Sequence, residues 1–243
     1  FEKPFYDEKG IAATYVGHPL ADMLPLAEGM LQTRKKLRLD TESQVVAILP
    51  GSRLAEIDHL GPLFIKVMIR ISEQLPQVQF LLPFINKETR QRFEEKIPHS
   101  GALPRMVLMF GHAHEAMTAA NVVLLASGTA SLEAALIGKP MVIAYKMPCL
   151  SWLLLRRKAY LPWVGLPNIL ANETLVPEFL QKAATPTAVS EAVLSYLKDA
   201  EKADKIKSRF IQIHQELRQD TANRAAGVVE KILSSKKKGH IAI

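Results

Sequence analysis

Two short stretches put glycine, hydroxyl and guanidinium groups where they could hold a phosphate. The first, Leu49-Pro50-Gly51-Ser52-Arg53-Leu54-Ala55-Glu56-Ile57, begins as an apolar run ends. Gly51 lets the backbone approach a ligand closely, Ser52 offers a hydroxyl, and Arg53 offers a planar fork of donors matched to phosphate oxygens. The same residues also spell a turn and a helix cap with a surface arginine. A place at the carboxyl end of a parallel strand favours the anion site. The second stretch is Ala126-Ser127-Gly128-Thr129-Ala130-Ser131-Leu132-Glu133. A strand stops there and a helix starts within two or three residues, so unpaired N–H groups at the helix end, with the Ser127 and Thr129 hydroxyls, suit a diphosphate. Glu133 comes four residues after Thr129, on the same helix face one turn deeper, where its carboxylate can accept from two sugar hydroxyls. Phosphate followed by ribose describes a nucleotide, although a hydroxyl cap with an acidic residue behind it needs no ligand. Neither a Walker loop nor GxGxxG is present.

Further along, Asn168 in Gly165-Leu166-Pro167-Asn168 follows a proline and either presents its amide to a uracil edge or a phosphate, or simply forms a turn. The stretch Ser151 to Tyr160 combines apolar bulk with Arg156, Arg157 and Lys158, which suits either a lipid or acyl chain or a half-buried helix. The seven histidines show neither HExxH nor a Cys/His spacing, so no metal site is expected. His112 and His114 share a loop with Gly111, and His18 sits at a junction. Ser127 is not flanked as a nucleophile elbow would be, which leaves a hydrolytic triad unsupported.

These loops need a scaffold, and the pattern from Gln44 onward supplies one. Five apolar runs, Val45–Leu49, Val78–Leu82, Met106–Phe110, Val122–Ala126 and Met141–Tyr145, alternate with amphipathic stretches. This is the signature of βα units and of an α/β, Rossmann-like parallel sheet with helices on both faces. Helices are expected over Leu60–Leu75, Lys87–Lys96, Glu115–Ala120, Val189–Leu197 and Ile206–Leu233, with a strand at Ala12–Val16 and a basic helical stretch running to Leu39. Apolar residues make up 48% of the 243 and charged ones 23%, which excludes disorder. One cysteine, Cys149, excludes a disulfide framework and makes the cytoplasm the default compartment. No apolar run reaches the roughly 18–20 residues of a spanning helix, and the first ten residues lack a signal-peptide layout. The excess of 31 basic over 24 acidic residues, +7, favours phosphorylated ligands, nucleic acid or anionic lipid without choosing among them. The chain opens on Phe1, as a piece of a longer protein would.

Gly17-His18-Pro19-Leu20-Ala21-Asp22, Leu49-Pro50-Gly51-Ser52-Arg53 with Glu56-Ile57, Ser127 to Glu133 and Gly165 to Asn168 together closely resemble the lipid-A-disaccharide synthase family. The similarity runs to about Leu233. It implies a GT-B glycosyltransferase that joins UDP-2,3-diacylglucosamine to 2,3-diacylglucosamine 1-phosphate and releases UDP. On that resemblance residues 1–43 are the remnant of an amino-terminal domain with its linker, 44–185 the Rossmann-like UDP-sugar donor domain, and 186–243 C-terminal helices with a basic tail. Gly51, Ser52 and Arg53 would meet the diphosphate, Ser127, Gly128 and Thr129 would supply helix-end donors, Glu133 would hold ribose, and Asn168 would close the far side. The general base would lie on the absent amino-terminal domain, and no metal or other cofactor is implied. The partners implied are the two lipid sugars, the missing domain, an anionic inner-membrane surface and a second copy of the chain, with no nucleic acid. The enzyme would be cytoplasmic and peripheral to the inner membrane of a Gram-negative bacterium. Another UDP-sugar enzyme, of the UDP-N-acetylglucosamine epimerase or peptidoglycan glycosyltransferase type, shares the donor layout, but Pro-Gly-Ser-Arg and Gly-Leu-Pro-Asn argue against it. A basic α/β binding domain with no activity is the alternative from another class.

Overall fold

The computed structural model describes residues 2–26, 29–99, 103–126, 128–148, 151–153 and 161–238. Its centre is a six-stranded sheet in the order β3-β2-β1-β4-β5-β6, every neighbouring pair parallel. The strands are β1 (Val45–Leu49), β2 (Gln79–Phe84), β3 (Arg105–Phe110), β4 (Val122–Leu125), β5 (Met141–Tyr145) and β6 (Glu178–Leu180). Those nearest the middle are almost wholly buried because helices cover both faces, which is why they read as unbroken apolar runs. The expected Rossmann-like layer is therefore present. Edge strand β3 exposes Val107 and Phe110. The sixth strand, only three half-buried residues long, carries no such run and was not expected. Residues Ala12–Val16, expected as a strand, form neither strand nor helix.

Three short helices come first: α1 (Lys3–Glu8), α2 (Pro19–Met23) and α3 (Met30–Lys36). The long α4 (Leu54–Gln74) starts six residues before the expected Leu60 and holds Pro62 within it. Its face of Ile57, Leu60, Leu63, Phe64, Val67, Met68 and Ile71 is buried, each such side chain contributing roughly 1.5–3 kcal/mol. Next come α5 (Lys87–Glu94), α6 (Ala113–Ala119), α7 (Thr129–Leu136), α8 (Leu166–Ala171) and α9 (Pro186–Lys198), with α9 packed on α4. The expected single helix over Ile206–Leu233 is two, α10 (Ala200–Leu217) and α11 (Thr221–Lys238). Asp220 breaks them apart with a left-handed backbone, φ 54°. Asp22, the last residue of Gly17-His18-Pro19-Leu20-Ala21-Asp22, accepts from the Asp220 and Thr221 N–H groups at 3.0 and 2.7 Å and so starts α11. In the same motif the His18 N–H donates to the Leu217 carbonyl at 2.9 Å, and the two ring nitrogens of buried His214 lie 2.9 and 2.8 Å from the Leu136 and Ala21 carbonyls. That motif is a clasp between α2, the end of α7 and the C-terminal helices. Of the stretch Ser151 to Tyr160, residues 154–160 lie outside the described residues.

On the outer surface, Arg92 donates to Asp58 from Nε at 2.7 Å and Nη2 at 3.1 Å, and Lys96 Nζ lies 2.6 Å away, tying α5 to α4. Hydrogen bonds from Arg92 and then Lys96 hold the Asp58 carboxyl down to about 2. The folded value lies below the unfolded one, so the tie stabilises fully above the ordinary carboxylate range and is lost as pH falls through about 2. Thermal melting of the native chain and of Asp58→Asn should therefore differ near neutrality and converge as pH approaches 2.

Candidate functional site

Strand order decides where a ligand can enter. The chain runs outward from β1 to β2 and β3, then returns to lay β4 against the other side of β1, so the connections diverge between β1 and β4 and leave a crevice at their carboxyl ends. Leu49 pairs with Leu125, and the Ala126 N–H donates to the Leu49 carbonyl at 3.0 Å. The Gly51-Ser52-Arg53 turn and the Gly128-Thr129 turn are thereby set side by side. They line a cavity of about 410 Å³ with Pro83 and Ile85 from the end of β2 and Ala113 from α6.

In the first turn, Arg53 precedes α4 in extended conformation and its side chain is 80% exposed, with Nη1 3.7 Å from Glu56 Oε1. The Ser52 and Arg53 N–H groups donate to Glu56 Oε2 at 2.8 and 3.2 Å. Gly51 takes φ +121°, and a Cβ there would stand 2.5 Å from Glu56 Cβ and Oε2. The second turn passes through Gly128 at φ +133°, and α7 begins at once with Thr129. Ser131 donates to the Gly128 carbonyl from Oγ at 2.7 Å, and no acidic residue stands in the first turn of α7. Its amino end keeps the partial positive charge that attracts an anion. Ser127 lies outside the described residues.

Of the residues singled out from the sequence, the structure brings together Gly51, Ser52, Arg53, Gly128 and Thr129. Glu133 sits deeper in α7 and does not line the cavity; its Oε1 is 3.0 Å from His114 Nδ1 on α6. The other loop histidine, His112, has Nδ1 3.1 Å from Glu115 Oε1. The Glu115 N–H, and after it His112, holds that carboxyl below its ordinary value.

Asn168 faces inward and away from the cavity. It is fully buried in α8, its Nδ2 donates to the Val176 carbonyl and to Glu178 Oε1, and its Oδ1 accepts from the Leu175 and Val176 N–H groups. All four bonding positions of the amide are used, so here it ties a turn and presents nothing to a base or phosphate. Glu178, on the unexpected β6, also accepts from the Val164 and Gly165 N–H groups and caps α8. Glu56 was legible in its motif but had no role assigned; an acidic residue three positions after a cap is the signal that points to it.

A second cavity, of about 420 Å³, lies beside α7 between Tyr6, Tyr15, His18, Leu132, Leu166 and Leu217. It lacks the paired turns. Among the described residues no group of three His, Cys, Asp or Glu could hold a metal ion, and no helix is long and apolar enough to cross a membrane.

The fold is shared with solved structures of low sequence identity. The UDP-GlcNAc 2-epimerase of Neisseria meningitidis, bound to UDP-GlcNAc, aligns with a TM-score of 0.58 over 96% of this chain and 59% of its own, at 15% identity. Sucrose-phosphate synthase from Thermosynechococcus elongatus gives 0.56 over 96% and 57%, at 16% identity. Sequence relatives are far closer. The lipid-A-disaccharide synthase of Aromatoleum aromaticum is 48% identical over 231 residues, 94% of this chain and 59% of that protein. That of Methylobacillus flagellatus is 48% identical over 230 residues, 94% of this chain and 61% of that protein. The chain thus spans about 60% of the length of the curated relatives it matches. Residues 1–232 match the family described as Lipid-A-disaccharide synthetase. Matched to that family over almost its whole sequence, the chain belongs to the lipid-A-disaccharide synthetase family.

Proposed function

We propose that this chain is the nucleotide-sugar side of a lipid-A-disaccharide synthase, which transfers 2,3-diacylglucosamine from UDP-2,3-diacylglucosamine to 2,3-diacylglucosamine 1-phosphate and releases UDP. The observation that carries this reading is the pairing of the Arg53 turn with the amino end of α7 across one crevice. A diphosphate seated there has a guanidinium on one side and helix-end N–H groups on the other. These stabilise the charge that develops as the sugar bond breaks, and they do so without a metal ion. Glu133 does not line the cavity; held by His114 one turn further along α7, it is assigned to the ribose that follows the diphosphate. Asn168 supports the site indirectly, by fixing the turn that enters α8. The base that takes the proton of the acceptor hydroxyl belongs to the amino-terminal part of the relatives, with the linker and remnant at 1–43, the donor domain at 44–185 and the C-terminal helices at 186–243. A net charge of +7 and the exposed Val229, Ile232 and Leu233 of α11 suit an anionic inner-membrane surface on the cytoplasmic side, where both lipid substrates would be met.

Calorimetric titration tests this reading. UDP and UDP-N-acetylglucosamine should bind saturably and ADP much more weakly, and Arg53→Ala should weaken UDP by about tenfold or more, the value of one charge-assisted contact. Silence toward both uridine nucleotides would remove the reading. Sugar transfer should require the addition of the separately made amino-terminal domain, and turnover by this chain alone would contradict the division of labour.

A further inference from the structure

The turn expected to grip a phosphate already holds an anion of its own. Glu56 Oε2 accepts from the Ser52 N–H at 2.8 Å and from the Arg53 N–H at 3.2 Å, and the Glu56 side chain is only 15% exposed. It is seated so closely that a Cβ on Gly51 would be 2.5 Å from its Cβ and from Oε2. The glycine therefore makes room for the glutamate, and the two N–H groups are already spent. The Arg53 guanidinium is not: its ion pair with Glu56 is 3.7 Å long, beyond a hydrogen bond, and the side chain projects 80% exposed at the cavity that Glu56 also lines. We propose that Glu56 is a positioning residue for the donor diphosphate: it locks the Gly51-Ser52-Arg53 turn so that Arg53 meets the phosphates through its side chain, and it stays in place when the nucleotide binds.

The proposal rests on the UDP-site reading, and a double-mutant cycle separates the two. Titrations of UDP compare the native chain, Glu56→Ala, Glu56→Gln, Arg53→Ala and the Glu56→Ala/Arg53→Ala pair, with melting curves checking the fold of each. If Glu56 acts by aiming Arg53, Glu56→Ala weakens UDP by about as much as Arg53→Ala, and the pair is no weaker than Arg53→Ala alone. Glu56→Gln, whose amide oxygen still accepts both N–H groups, stays within about threefold of the native chain. Should Glu56→Ala not fold, Glu56→Asp takes its place, since it keeps the charge and loses the reach. Amide exchange checks that the glutamate stays in place: the Ser52 and Arg53 N–H groups should be protected equally with and without UDP, while the non-additivity with Arg53→Ala is what a merely structural glutamate would not give. Effects that multiply in the pair, tighter binding by Glu56→Gln, or loss of the glutamate bond on adding UDP would each overturn the role while leaving the UDP site standing. Native chain silent toward UDP would remove both.

Discussion

Asn168→Ala is expected to lower the stability of the chain by roughly 3–5 kcal/mol, because the deletion strands several buried polar groups at once. The Leu175 and Val176 N–H groups lose their acceptor at 2.8 Å each, and the Val176 carbonyl and Glu178 lose donors at 2.9 and 2.7 Å. The Val176 groups cannot turn to water, since Asn168 is fully buried and Val176 nearly so, whereas Leu175 and Glu178 are half-buried. Asn168→Asp tests the mechanism more sharply. It would set a second carboxylate against Glu178 Oε1 and the Val176 carbonyl, where the amide now donates, so its cost should exceed that of the alanine variant near neutrality. Denaturant unfolding read by circular dichroism measures both, and a loss under about 1 kcal/mol for the alanine variant would contradict the assignment. Lowered UDP binding in these variants would follow from loosening of the turn that starts α8, and should be recovered wherever stability is recovered.

The second large effect is expected at Arg34. This guanidinium is 2% exposed and meets no carboxylate among the described residues; Nε donates to the Ala119 carbonyl at 2.9 Å, Nη1 to the Thr41 carbonyl at 2.6 Å and Nη2 to Asn121 Oδ1 at 2.7 Å. Burial pulls its pKa down from the ordinary arginine value, and the carboxylates of Asp40 and Glu42 oppose that pull. Three neutral acceptors take the place of a counter-ion, and Asn121 Oδ1 in turn accepts from the Val45 N–H that opens β1. Lys139 Nζ donates to the neighbouring Thr118 and Ala120 carbonyls at 2.6 and 2.9 Å, so two cations together close the carboxyl end of α6. Arg34→Ala should cost about 2–4 kcal/mol through three bared acceptors and a cavity. Arg34→Met, which refills the stem volume, should cost less, and Arg34→Lys should fail to match the planar fork and recover little. Equal losses for alanine and methionine would show that packing contributes nothing there.

The sheet was legible wherever burial on both faces forces an unbroken apolar run, as in Val45–Leu49 and Met141–Tyr145. It was not legible at Glu178–Leu180, whose pairing with β5 leaves all three residues only half-buried. The start of α4 was hidden by Pro62, which suggests a first turn, while the actual start is set by the N–H bonds to Glu56. The two turns of the crevice could be read because their backbone demands are local: a glycine at positive φ and a helix starting straight after it. The partners of Glu133 and Asn168 were not readable, since they depend on tertiary placement, His114 nineteen residues earlier on another helix and Val176 and Glu178 beyond the next turn. The break at Asp220 could have been found from Asp220-Thr221, a cap pair inside an otherwise continuous periodic stretch.

The bonds from Asp22 to Thr221 and from Ala21 to His214 close loops of 199 and 193 residues. Contacts spanning that much chain form late, because the entropy of closing the loop is lost before the contact repays it. During synthesis the parallel layer can assemble while its amino-terminal turn waits, unclosed, for the last helices to leave the ribosome. Stopping translation short of His214 should therefore release a species with an intact sheet and with residues 17–22 unclasped, the part of the molecule that proteases would reach first.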